Sequence, residues 1–262
     1  MRNLLSANFL RFRQNRVLWG GMAVMLLYGL TRVSSLRQTL DNGGSSYFPP
    51  FHFLELIPFV LAVYCCASNA AEFDAGAVRN KLTVGAARPA VYLTDLIDHT
   101  AAAFLFCAAY ILPTWGLDWV LFHDSGVLEY PRTTGETAVW LLVGLAAVAS
   151  YSALFTFLGM NVQGRASGAA AIVLLAAALV FLGHRSETAM VLHWQDSVGW
   201  PLEGPTLVWH TLFSQWLPGG QAVFVSQYSD RIAPGALAVR ALAVAALTTG
   251  IGILLFRRKD LK

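Results

Sequence analysis

Hydrophobic residues in this chain fall into six long blocks, separated by short runs in which most of the charge is concentrated. Crossing about 30 Å of hydrocarbon takes about 20 mostly apolar residues, because a helix must satisfy its own backbone polar groups there. That rule predicts spans at about 17–36, 53–71, 93–115, 138–160, 168–184 and 236–256. The first is strongly apolar only to Leu30 and requires Arg32 to snorkel outward. The fifth has a centre, "AAAIVLLAAALVFLG", without a polar side chain, but its apolar run ends at Leu182 unless it continues to His184. None of the six alternates apolar and polar residues with period two, so helices are predicted rather than barrel strands. The expected fold class is an all-α membrane protein, with residues 1–262 forming one transmembrane domain.

Composition agrees with that pattern. Of 262 residues, 56% are hydrophobic and 13% charged, against roughly 45–50% and about 25% in soluble domains. The net charge of +3 is not gathered into a basic stripe, so nucleic acid is not an expected partner. Cys65, Cys66 and Cys107 lie inside apolar runs, with spacing that fits neither a zinc knuckle nor a disulfide framework. No Asn-x-Ser/Thr sequon occurs, which argues against a eukaryotic surface glycoprotein.

Basic residues are retained on the cytoplasmic side of short loops. With the N-terminus inside, the inner segments hold twelve of the eighteen Lys and Arg residues, among them Arg11, Arg13, Arg79, Lys81, Arg88 and Arg257. Both termini are therefore expected in the cytoplasm. Residues 1–16 place Leu5, Phe9 and Phe12 on one helical face among arginines, the pattern of a helix in the headgroup plane, although an ordinary basic flank has the same composition. The first 36 residues also resemble a secretory signal in outline, and an uncleaved first helix is the reading adopted. The outer loop 185–235 contains "PTLVWHTLFSQWLPGGQAVFVSQ", apolar but broken at Pro218 and Gly219. This predicts outer re-entrant helices, with Trp209 and Trp216 shielded by lipid or a partner.

The chain lacks G-x-x-x-x-G-K-[ST], the loop that would hold nucleotide phosphates, and lacks H-E-x-x-H. No catalytic residue, metal ligand or cofactor is expected in the chain itself. Ionisable groups near the spans are candidates for a translocation path: Glu55, Asp98 and His99. Asp95, Asp98 and His99 share a face at i, i+3, i+4, which suits a proton relay or metal site; equally, acidic groups at a helix N-terminus are stabilised by its dipole. Arg88 is near enough in sequence to pair with them.

The polar segment 72–92 lies between the second and third spans. Its first half, "AEFDAGAVRNKLTVG", predicts a short helix with Phe73, Ala77 and Leu82 in a stripe and Gly85 as C-cap. Such a surface helix suits a groove on another protein. Here the chain resembles the ABC-2 family of transporter permeases, whose pattern at this loop is matched by Glu72, Gly76, Leu82, Arg88 and Tyr92. The ending with Phe256, Asp260 and Leu261 is similar to the family's, as is the style of the opening "MRNLLSANFLRFRQNRVLW". Two departures are Ala77 in place of a common threonine and Asp95 where a lysine is frequent.

The resemblance implies a six-helix permease subunit in a cell membrane, multi-pass and bacterial, that pairs with a second copy of itself or a sister permease. It further implies two copies of a separate ABC ATPase subunit that bind ATP and Mg. Residues 1–16 would be the interface helix, and Glu72, Phe73, Gly76, Arg79, Lys81, Leu82 and Arg88 the ATPase-coupling residues, with reversal of the Arg79 and Lys81 charges expected to weaken ATPase association. The scarcity of charge in the spans suggests an amphiphilic or hydrophobic cargo such as a peptide antibiotic, drug or lipid-like molecule. A passive six-helix channel or membrane assembly scaffold is the alternative, although no ring of like charge marks a pore. An integral-membrane enzyme would have only Asp95, Asp98 and His99 to work with.

Overall fold

The computed structural model describes residues 2–41, 51–74, 76–122, 134–162, 165–194, 202–226 and 232–259. Those residues form ten helices and no strand: α1 (Arg2–Gln14), α2 (Arg16–Asp41), α3 (Phe53–Asp74), α4 (Ala77–Thr83), α5 (Arg88–Phe122), α6 (Thr134–Asn161), α7 (Arg165–Trp194), α8 (Gly204–Gln215), α9 (Pro218–Ser226) and α10 (Pro234–Arg258). Six of them contain windows long and apolar enough to cross a membrane: Arg16–Ser35, Phe53–Phe73, Arg88–Leu117, Gly135–Asn161, Ala166–His193 and Pro234–Arg258. The architecture fits a multi-pass membrane protein. Asp260 and Leu261 lie outside the described residues.

Helix α3 sits among α2, α5, α6 and α7, while α10 packs along α6 and α2 along α5. The core between them is aromatic: Phe53 and Tyr28 both approach Tyr110, and Tyr64 meets Phe106 edge to face. Large apolar side chains also cover the outside, including Leu27 on α2, Leu174 and Phe181 on α7, and Leu247 on α10. So wide an exposed apolar surface would be a liability in water and is the expected surface toward lipid. Close approach of α2 to α5 depends on Gly21 and Gly29, eight residues apart on one face: an added methyl would meet the Phe106 ring at the first and the Tyr110 backbone at the second.

Helices α7 and α5 run furthest past their predicted ends. The apolar run of α7 stops near Leu182, yet the helix continues to Trp194, ten residues beyond the expected boundary at 184. Nothing in "HRSETAMVLHW" breaks a helix, and Ala189 and Met190 gain a packing partner in Leu202. Hydropathy marks where a helix leaves an apolar environment, and helix breakers mark where it stops; here the two differ. Helix α5 likewise starts at Arg88 and reaches Phe122 through Pro113.

The segment after α7 forms two short helices joined at the predicted break. Trp209 on α8 and Trp216 just past its end are exposed, with the Arg240 guanidinium over the Trp216 ring at 5.7 Å. All nine residues of α9 are buried. Gly219 meets the Leu179 backbone of α7, Gly220 the backbone of α8, and Gly183 the backbone of Gly219 itself, so a methyl at any of them would overlap main-chain atoms. Replacing Gly219 by Ala is expected to cost about 1–3 kcal/mol, the usual range for overpacking a tight interface. Gly250→Ala meets nothing within 4 Å and should leave the unfolding midpoint of the detergent-purified chain unchanged or slightly raised, as thermal melts of the two variants would read.

Candidate functional site

The chain's polar chemistry collects at the end of the bundle that carries α1, α4 and the C-terminal end of α10. Helix α3 continues through Glu72 and Phe73 to Asp74 and stops. Gly76 then adopts φ 60°, a left-handed conformation that suits glycine, and starts α4. The predicted single helix from Glu72 to Leu82 is therefore two pieces with a glycine hinge: Glu72 and Phe73 belong to α3, and only Ala77 to Thr83 form the short helix. Its stop is a Schellman motif. Ala86 N–H donates to Lys81 O at 3.0 Å and Gly85 N–H to Leu82 O at 3.0 Å, with Gly85 at φ 91°.

The inner face of α4 is apolar. Val78 and Leu82 pack in a cluster with Val91, Tyr92, Met160 and Phe256, and Phe73 joins it from α3. Arg88 fastens the cluster from one side, its guanidinium donating to the carbonyls of Phe256, Arg257 and Lys259 at the end of α10. Lys259 fastens it from the other, with Nζ donating to Met160 O at 2.7 Å and lying over the Phe73 ring. Burial holds the Lys259 ammonium below the usual lysine pKa. Leu82, Arg88 and Tyr92 thus meet Phe256, far away in the chain, in one knot. Arg88 does not pair with Asp95, Asp98 or His99.

A second tie is ionic. Lys81 Nζ lies 2.8 and 2.9 Å from the two carboxylate oxygens of Glu72 and 3.4 Å from Asp95 Oδ1. From α1, Asn8 Nδ2 donates to Asp95 Oδ1 at 3.2 Å, and Arg11 reaches Glu72 at 3.5 Å. One ammonium, its side chain only 11% exposed, joins α4 to α3 and α5, and α1 enters the network through Asn8 and Arg11. Lys81 therefore faces inward, while Arg79 stays exposed. The turn of α4 decides this, because the residue that shares a face with Ala77 and Val78 looks into the bundle.

What remains exposed on α4 is Arg79, Asn80, Thr83 and, at its tip, Val84, whose surface is 89% exposed. Val84 was not legible as special in the sequence; the Schellman turn that lifts it outward is the only signal, and that depends on Gly85. Of the α1 pattern, Phe12 is buried against Tyr64, while Phe9 and Leu10 stay exposed.

The three residues Asp95, Asp98 and His99 diverge. Asp95 meets Lys81 and Asn8, Asp98 accepts a 2.8 Å bond from the Tyr64 hydroxyl, and His99 Nδ1 lies 2.7 Å from Thr156 Oγ1. No group of three potential metal ligands occurs among the described residues. Glu55 belongs to the opposite end. His52 Nδ1 is 3.0 Å from its Oε1, the Tyr28 hydroxyl donates to its Oε2 at 3.5 Å, and Arg32 turns to His52 and the Tyr28 ring. Glu55 and the Tyr64–Asp98 pair are nine residues apart along α3, about 14 Å, so the candidate path residues form two separate polar sites.

Lys81→Met should destabilise the chain by about 1–3 kcal/mol, since Asp95 would be left buried with only Asn8 as donor and Glu72 with only the exposed Arg11. Neutralising all three in Glu72→Gln, Lys81→Met, Asp95→Asn should recover most of that loss. Arg79→Ala should fall within about 0.5 kcal/mol of the parent, as surface substitutions do. Denaturant or thermal unfolding in one detergent checks the order of the three. No model of a known protein family matches the chain, and no curated protein matches it either.

Proposed function

We propose that this chain is the membrane-spanning permease subunit of an ATP-driven exporter of the ABC-2 type, with α4 as the element that couples it to a separate ATPase. The observation that carries the reading is the build of α4. It is a short helix hinged at Gly76, anchored on its inner face to α3, α5 and α10, and presenting Arg79, Asn80, Thr83 and Val84 outward. In this reading a push on that surface would pass through Lys81 to Glu72 of α3 and Asp95 of α5, and through the packing of Val78 and Leu82 to Met160 of α6 and Phe256 of α10. A plain solvated loop would not need such anchorage.

Charge supports the orientation. The end with α1 and α4 holds Arg11, Arg13, Arg79, Lys81, Arg88, Arg257, Arg258 and Lys259, and basic residues are retained in the cytoplasm. Both termini then lie inside, α1 rests at the inner headgroup plane with Phe9 and Leu10 toward lipid, and α8 and α9 lie on the outer side. The burial of α9 beside Leu179 and Gly144, both within apolar windows, supports a re-entrant role for it. Nucleotide binding in two partner ATPases would close them and draw on α4 of each of two permease copies, and the rearranged paths between the copies would release an amphiphilic or hydrophobic cargo outward. ATP and Mg belong to the partner.

In mild detergent, the tagged chain from its native membrane is expected to carry a P-loop ATPase with measurable turnover, identified by mass spectrometry. Arg79→Glu with Val84→Asp should lower the yield of that complex at least about tenfold, the effect of losing about 1.4 kcal/mol, without altering monodispersity of the permease. Reproducible absence of an ATPase from the intact chain would favour the channel or scaffold instead. Orientation has its own readout: in a cysteine-free background, Val84→Cys should react with a membrane-impermeant maleimide only from the cytoplasmic side.

A further inference from the structure

Residues 1–40 contain six arginines and neither aspartate nor glutamate, and the fold turns part of that charge outward at one corner. Asn15 is the single residue between α1 and α2. Its Oδ1 accepts the Val17 N–H at 2.9 Å, and Trp19 Nε1 on α2 donates back to Arg13 O at 2.9 Å. The corner is closed on itself in this way, with Arg13 and Arg16 on either side of it. Both are exposed, and among the described residues neither has an ion-pair partner. Arg11 differs, since it reaches Glu72.

Apolar surface adjoins these charges. Phe9, Leu10 and Trp19 are 68%, 61% and 55% exposed. Phe9 lines a cleft with Ile97 and Ala101 of α5, and Ile97 is itself exposed within the apolar window Arg88–Leu117. Trp19 lies in the window Arg16–Ser35. The exposed side of α1 therefore borders the surface expected to face lipid, and an indole beside arginines is the composition of a membrane interface. An acidic protein would match the arginines but leave Phe9, Leu10 and Trp19 without an apolar cover. A zwitterionic lipid would cover the apolar groups but bring no net negative charge. An anionic phospholipid supplies both, because guanidinium groups fork onto phosphate oxygens and basic residues are drawn to a negatively charged leaflet.

We propose that the α1–α2 corner binds anionic phospholipid of the inner leaflet, with Arg13 and Arg16 on the headgroup and Phe9, Leu10 and Trp19 against the chains. The inference rests on the placement of α1 at the inner headgroup plane and not on an ATPase. Its test uses the full chain, cysteine-free except for a fluorophore on Gln14→Cys, in phosphatidylcholine nanodiscs that contain a small fraction of either phosphatidylglycerol or phosphatidylcholine bearing a nitroxide near the top of one acyl chain. Quenching should favour the phosphatidylglycerol probe at least about tenfold in apparent affinity. Arg13→Gln with Arg16→Gln should remove most of that preference, about fivefold per arginine. Arg257→Gln with Arg258→Gln, at the also exposed basic end of α10, should leave it within about twofold. Glycerol phosphate, which has no acyl chains, should not compete at matched ionic strength. Equal quenching by the two probes, an equal loss in the α10 pair, or full competition by glycerol phosphate overturns the proposal. Weak quenching by both probes overturns it as well, by removing α1 from the headgroup plane. Loss of a co-purifying ATPase from the Arg13, Arg16 variant with the lipid preference intact would assign the corner to an acidic protein face instead.

Discussion

A backbone inside hydrocarbon has no water to bond to, and the organisation of this chain follows from that constraint. It accounts for the helices themselves, and it also governs the polar side chains placed within them. Thr100, Thr114, Ser152, Thr156 and Asn161 all donate back to a carbonyl three or four residues earlier in their own helix. Spent locally in this way, hydroxyl groups can sit at membrane depth without forming a channel lining. Ser150 goes one step further and also donates to Ala241 O, a bond that ties α6 to α10 at 2.7 Å.

Charges cannot be spent so cheaply, and the molecule moves them to its two ends. Glu55, His52 and Arg32 pair among themselves at one end; Lys81, Glu72, Asp95 and Arg11 do so at the other. The second group has a mechanical consequence, because its members come from four different helices. A half-buried ion network contributes little net stability over apolar packing, but it fixes geometry. Helix α4 is thereby held at one angle to the bundle, with Val84 outward and Lys81 inward. Its Lys81 is bonded to α3 and α5, and Val78 and Leu82 pack beside Met160 of α6 and Phe256 of α10.

Comparison of expectation and structure is instructive at particular residues. Gly85 was readable as a stop because a glycine after a short apolar stripe supplies the positive φ of a Schellman turn. Gly76 was not readable as a break, since a glycine at mid-segment looks the same whether the helix tolerates it or hinges there; the conformation φ 60° decides. The face shared by Asp95, Asp98 and His99 was legible from spacing, but neighbouring helices draw the three side chains to Lys81, Tyr64 and Thr156. Periodicity gives direction around one helix and says nothing about what waits in each direction.

The sequence by itself determined that the chain is helical, that six helices suit a bilayer, and that positive charge gathers at one set of ends, since each is a property of a local window or a sum over windows. Only the tertiary structure decided that Arg88 clasps the last turn of α10, that Lys81 turns inward while Arg79 stays out, and that α9 is wholly buried. Those outcomes depend on pairs of residues separated by up to about 170 positions, such as Arg88 and Lys259, whose proximity arises from helix packing. Local propensity carries no term for it.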